Sequence, residues 1–111
     1  MNKIIEFFNR EQNLLVHLTI TLFVLVFGVF FKLDLTEWLL IFFAIAFVIT
    51  SELINSSIEL VVDTYTSEFN SLAMVSKDVA AGAVLISAIT SFFVGIFIFG
   101  PKILDLIKLL F

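Results

Sequence analysis

"LLIFFAIAFVITSELINSSIELVV", residues 39–62, decides how this chain folds. Its first twelve residues, 39–50, are almost wholly apolar but too short to cross a membrane alone. They must continue into 51–62, where Glu52, Asn55 and Glu59 stand among Leu, Ile and Val. On a helix each residue turns about 100°, so Asn55 lies about −60° from Glu52, Ser56 about +40°, Glu59 about −20° and Asp63 about +20°. All five polar groups fall within an arc of roughly 100°, and the opposite face is aliphatic. An ionised carboxylate at membrane depth costs at least ~2.5 kcal/mol, so the stripe asks for a purpose.

The rest of the chain supplies the solvent. Of 111 residues, 61% are hydrophobic and fifteen are Phe, with a mean hydropathy of +1.19. A soluble chain of this length has too little interior to hide so much apolar surface. "LLVHLTITLFVLVFGVFF", 14–31, carries His17 as its one ionisable group and is long enough to span. "KLDLTEW", 32–38, reads as a short polar turn with a Trp suited to the interface. "VAAGAVLISAITSFFVGIFIFG", 79–100, is a third span. The expectation is an all-α membrane protein of one domain, with three transmembrane helices over about 14–31, 39–62 and 79–100. "DTYTSEFNSLAMVSKD", 63–78, is expected as a loop or short interfacial helix. Gly100-Pro101 should end or kink the last helix, leaving "KILDLIKLLF" as an amphipathic surface tail.

The charge balance narrows the function. A net charge of −4 offers no basic patch for nucleic acid. The absence of cysteine excludes disulfides and thiolate metal sites, and one His makes a poor zinc site. The start "MNKIIEFFNREQN" has neither a cationic leader pattern nor a following cleavage site, and no signal peptide is expected. Lys3, Arg10 and Lys77 fall on one membrane face and Lys32, Lys102 and Lys108 on the other, so basic residues do not choose the orientation.

Chemistry-bearing residues collect at one end of the spans. Glu11 stands at the mouth of the first helix, on the side of the polar loop. Arg10, Asn13, His17 and Thr21 are spaced to share a stripe on a continuous helix. Lys77 and Asp78 open the third span, ahead of small residues at 80–83 that permit close helix approach. There is no P-loop or GxGxxG. Hard oxygen ligands suit Mg²⁺, which takes one or two carboxylates plus nucleotide phosphates. Two readings follow: phosphoryl transfer at a membrane surface, or an ion- or proton-coupled transporter subunit. Acids placed toward one end, beside a polar loop, favour the first.

"ELINSSIELVVD" (52–63), "SEF" (67–69) and "AMVSKDVAAGAVLI" (73–86), in that order, resemble the small prokaryotic integral-membrane lipid kinases, the diacylglycerol kinase and undecaprenol kinase family. The resemblance covers roughly residues 9–104, and "EQNLLVH", 11–17, looks like the undecaprenol kinase branch. It implies transfer of phosphate from ATP, with Mg²⁺, to the primary hydroxyl of undecaprenol or diacylglycerol, with a lean to undecaprenol. It places the catalytic base on Glu52, metal ligands on Glu11 and Glu59, and nucleotide contacts on Glu68, Phe69, Asn70, Lys77 and Asp78. Asn55 and Asp63 become supporting residues. It also implies a homotrimer in the bacterial inner membrane, with amino terminus and active site cytoplasmic. Relatives usually carry a longer amphipathic segment before the first span, of which "IIEFF", 4–8, is expected to be a remnant. Leu15 and Met74 stand where many relatives carry polar or basic residues. Those departures keep open a catalytically reduced member of the same fold.

Overall fold

The computed structural model describes residues 2–66, 68 and 70–111. It contains four helices and, among the described residues, no strand: α1 (Asn2–Arg10), α2 (Gln12–Phe30), α3 (Leu35–Tyr65) and α4 (Ser71–Leu110). The last three are long and apolar enough to cross a membrane. Their outward faces carry large apolar side chains, among them Phe23, Phe43 and Phe97, each more than half exposed. In lipid these faces are solvated rather than stranded, because the hydrocarbon is as apolar as they are.

α3 is the central element. It packs along α4 and, over a shorter length, against α2, while the α2 and α4 backbones stay apart and meet only through side chains such as Phe31 and Phe99. Three pairings set α3 and α4 antiparallel: Asp63 with Lys77, the Ala44 carbonyl with the Ser91 hydroxyl, and Glu37 with Lys102. Ala80 and Ser87 are buried in α4, where small side chains let the backbones approach. The Ser87 hydroxyl is satisfied by the Val84 carbonyl of its own helix.

The α2–α3 turn is closed by local chemistry. Leu33 N donates to Gly28 O and Lys32 N to Val29 O, the paired bonds of a Schellman motif. Lys32 takes the left-handed position of that motif, with φ 54°. Leu33 then folds into the small core with Ile41 and Ile98. Asp34 caps α3 in a reciprocal capping box: its carboxylate accepts from Glu37 N while the Glu37 carboxylate accepts from Asp34 N. Glu37 also meets Lys102 at 3.1 Å, tying α4 to this turn. Gly28 is needed where it stands, since a Cβ there would lie 2.5 Å from the Trp38 ring.

Lys32 makes no ion pair among the described residues and is exposed, so its side chain contributes little to the turn. The left-handed backbone costs a non-glycine residue about 1 kcal/mol. Lys32→Gly should therefore raise the thermal midpoint in detergent by a few degrees without changing activity. A fall in the midpoint would show that the turn does not hold this conformation.

Several boundaries differ from the sequence expectation. α3 runs on to Tyr65 and α4 begins at Ser71, so the expected 63–78 loop shrinks to the few residues between them. A helix leaving the membrane keeps its backbone hydrogen bonds although its composition turns polar. α4 also continues through Pro101 to Leu110, so "KILDLIKLLF" is not a separate tail. Proline removes one donor, for the residue 97 carbonyl, and Gly100 is a poor helix former, but the turns that follow, rich in Leu and Lys, favour the helix. The Arg10–Thr21 stripe is broken as well. Arg10 ends α1, Glu11 interrupts the helix at φ −95° and ψ 72°, and Arg10 and Asn13 are exposed.

Candidate functional site

The break at Glu11 has a chemical consequence. Glu11 is the N-cap residue of α2, but its side chain makes no capping bond. Its Oε2 instead accepts a 3.0 Å hydrogen bond from Ser56 Oγ on α3. Ser56 is fully buried, so that donor has no access to water. One turn along α3, the Asn55 amide donates to Glu59 Oε1 at 3.3 Å. The Asn55 Oδ1 is buried with no partner among the described residues. Two half-buried carboxylates, from α2 and α3, are thus each steadied by a neutral donor.

Glu52 lies one to two turns deeper and is only 2% exposed. Its Oε2 is 3.7 Å from His17 Nε2 on α2. Glu11 and Glu59 both lie within electrostatic reach of it. The stripe predicted from the 100° turn is therefore real: Glu52, Asn55 and Ser56 are the buried polar residues of α3. Glu59 is partly exposed and Asp63 exposed, as the helix emerges from its neighbours.

A pocket of about 430 Å³ sits at the α3–α4 turn. Asp63, Glu68, Asn70 and Lys77 line it, together with Met74. Lys77 Nζ pairs with the Asp63 carboxylate across the turn. The Asn70 side-chain oxygen is spent on capping α4, accepting from Leu72 N and Ala73 N. Asp78 is exposed and does not line the pocket. Phe69 lies outside the described residues.

The donor set suits a hard divalent cation. Among the described residues no group of three or more His, Asp or Glu is arranged to hold a metal unaided. Among the described residues Glu11 and Glu59 form no ion pair with a basic residue, whereas Asp63, Glu37 and Glu52 each face one. Two carboxylates without a cation fit Mg²⁺ completed by phosphate oxygens. Ser56 and His17 stand out in the structure more than in the sequence. Ser56 shares the Glu52 arc, but its partner lies 45 positions away and no local pattern reveals it.

The chain matches the family described as prokaryotic diacylglycerol kinase over residues 1–99. It is 39% identical over 93 residues to the undecaprenol kinase of Bacillus subtilis (strain 168), covering 84% of this chain and 76% of that one. It is 40% identical over 70 residues to the diacylglycerol kinase of Helicobacter pylori (strain J99), covering 63% of this chain and 55% of that one. No solved structure matches it at a significant level.

Proposed function

On the premise that this chain belongs to the prokaryotic diacylglycerol kinase family and is a membrane lipid kinase, we propose that it uses ATP and Mg²⁺ to phosphorylate the primary hydroxyl of undecaprenol. The observation that carries the reading is the stacking of three layers along one end of α3. Buried Glu52 lies deepest, the steadied pair Glu11 and Glu59 next, and the Asp63–Lys77 pocket outermost. A lipid alcohol arrives from the membrane and a nucleotide from water, and the layers meet them in that order. Undecaprenol is preferred over diacylglycerol because the match to the undecaprenol kinase extends over more of the chain at similar identity.

In this reading Glu52 accepts the proton of the lipid hydroxyl as its oxygen attacks the γ-phosphorus. The bond from the γ-phosphorus to the bridging oxygen breaks, and ADP leaves. Phosphoryl transfer needs positioning and charge stabilisation more than covalent help. Mg²⁺ held by Glu11 and Glu59 would neutralise charge on the β- and γ-phosphates. Asn55 steadies Glu59, and Asp63 presents Lys77. Glu68, Phe69, Asn70, Lys77 and Asp78 are the proposed nucleotide contacts. The functional unit is a homotrimer in the bacterial inner membrane, with the amino terminus and active site facing the cytoplasm. A basic residue supplied by a neighbouring copy would complete the nucleotide side.

Purified protein in mixed micelles, given Mg²⁺ and γ-labelled ATP, should transfer label to undecaprenol faster than to diacylglycerol. Label in neither lipid sinks the reading, and faster labelling of diacylglycerol reverses the substrate assignment. Lys77 offers a narrower check. Its pair with Asp63 is well exposed, and such pairs contribute at most about 1 kcal/mol to stability. A charge-assisted contact to phosphate contributes about 1.5–3 kcal/mol. Lys77→Met should raise the KM for ATP about tenfold or more, with the KM for lipid unchanged and the thermal midpoint lowered by at most a few degrees. An unaltered ATP KM would remove Lys77 from the nucleotide site.

A further inference from the structure

His17 is the one histidine in the chain, and the chemistry above leaves it unused. It stands on α2 between two features. On one side its Nε2 is 3.7 Å from Glu52 Oε2. On the other it lines an apolar groove of about 430 Å³. The floor of the groove is α3, with Ile41, Ile45 and Val48, and its walls are α2 and α4, whose backbones stay apart. Rim residues Ile20, Phe92 and Ile96 are about half exposed, so the groove opens sideways into the membrane.

The polar groups in that groove are nearly all engaged. Thr21 Oγ1 donates to the His17 carbonyl, and Ser91 Oγ donates to the Ala44 carbonyl. The His17 imidazole is the groove's side-chain polar group without a hydrogen bond among the described residues. Its separation from Glu52 is too long for a hydrogen bond but short enough for one hydroxyl to reach both, since two legs of ~2.8 Å span that gap.

We propose that His17 orients the acceptor hydroxyl: a single hydrocarbon chain of the lipid alcohol lies in the α2–α3–α4 groove, and its terminal hydroxyl bridges His17 and Glu52. This rests on the lipid kinase reading above with Glu52 as the base. The groove commits to a chain rather than to a second copy of a helix because it opens toward lipid and His17, one of its lining residues, faces Glu52 just beyond it. The imidazole fixes the hydroxyl oxygen in line for attack while Glu52 takes the proton.

Two measurements test it on the full chain. The first needs no turnover: diethyl pyrocarbonate modifies histidine, and the chain has one, so mass spectrometry reads His17 directly. A long polyprenol should slow that modification, a matched hydrocarbon without the hydroxyl should slow it less, and ATP alone should not. The second is kinetic. His17→Leu should lower kcat for the lipid about 100-fold through misplacement of the reacting atoms. His17→Gln, which keeps an N–H at similar reach, should recover most of that loss, and both variants should keep the ATP KM. Equal protection by hydrocarbon and alcohol, or Leu and Gln variants as active as the parent, overturns the proposal. Equal losses in both variants with a lowered thermal midpoint also overturn it, leaving His17 a packing residue. A parent that labels no lipid while polyprenol still protects His17 sinks the kinase reading instead and keeps the hydroxyl seat.

Discussion

Glu52→Gln is expected to abolish lipid phosphorylation while leaving the protein folded and its ATP KM unchanged. The amide has the shape of the carboxylate and can still present an oxygen toward His17, 3.7 Å away in the parent. It cannot take a proton from an alcohol. Losing a positioned general base costs about 10²–10⁴ in rate. The same substitution should not harm stability. A carboxylate 2% exposed within a transmembrane helix is expensive, with an ionised acid at the membrane centre costing at least ~2.5 kcal/mol. His17 offsets part of this, and the amide avoids it. The variant should therefore melt at or above the parent temperature in detergent while labelling neither lipid. Activity within tenfold of the parent would remove Glu52 as the base. A lower melting temperature with activity lost would assign it a structural role.

Much of this site could be read from periodicity, because α3 is one regular helix and the arc from Glu52 to Asp63 follows from its turn alone. Glu52, Asn55 and Ser56 were expected on one face, and they are the residues that α3 buries among its polar groups. Pairings between helices are another matter. Ser56 with Glu11, and Glu52 with His17, depend on how α2 rotates against α3, and the apolar residues of α2 point to no single face. Even the Arg10–Thr21 stripe failed there, because the helix breaks at Glu11. Helix ends also escape hydropathy, for a physical reason. Hydropathy follows apolar composition, whereas α3 and α4 continue to Tyr65 and Leu110 through backbone bonding and the Asp63–Lys77 and Glu37–Lys102 pairs. The start of α3 is legible in the sequence itself: Asp34 and Glu37, three apart in "KLDLTEW", have the spacing of a capping box.

The pair Glu11 and Glu59 predicts a defect of a different kind, one that added metal can repair. Glu59→Gln keeps an oxygen to accept from Asn55, whose amide donates to Glu59 Oε1 in the parent, so the local fold should survive. The charge is lost, and with it half of the proposed carboxylate pair. Disturbing a group that merely supports a metal ligand already costs 10–100-fold, so loss of a ligand should cost about 100-fold or more at ordinary Mg²⁺ concentration. Raising Mg²⁺ should restore part of the rate, because the remaining carboxylate and the phosphates still bind the ion, only more weakly. Ser56→Ala should show the same behaviour more mildly, since it frees Glu11 without removing it. Glu52→Gln should show none, as no concentration of metal replaces a proton acceptor. A Mg²⁺ titration across the three variants separates the roles. If Glu59→Gln loses the same factor at every concentration, Glu59 does not bind the ion. If Glu52→Gln recovers with Mg²⁺, the buried glutamate is the ligand, and the assignment of base and metal site must be exchanged.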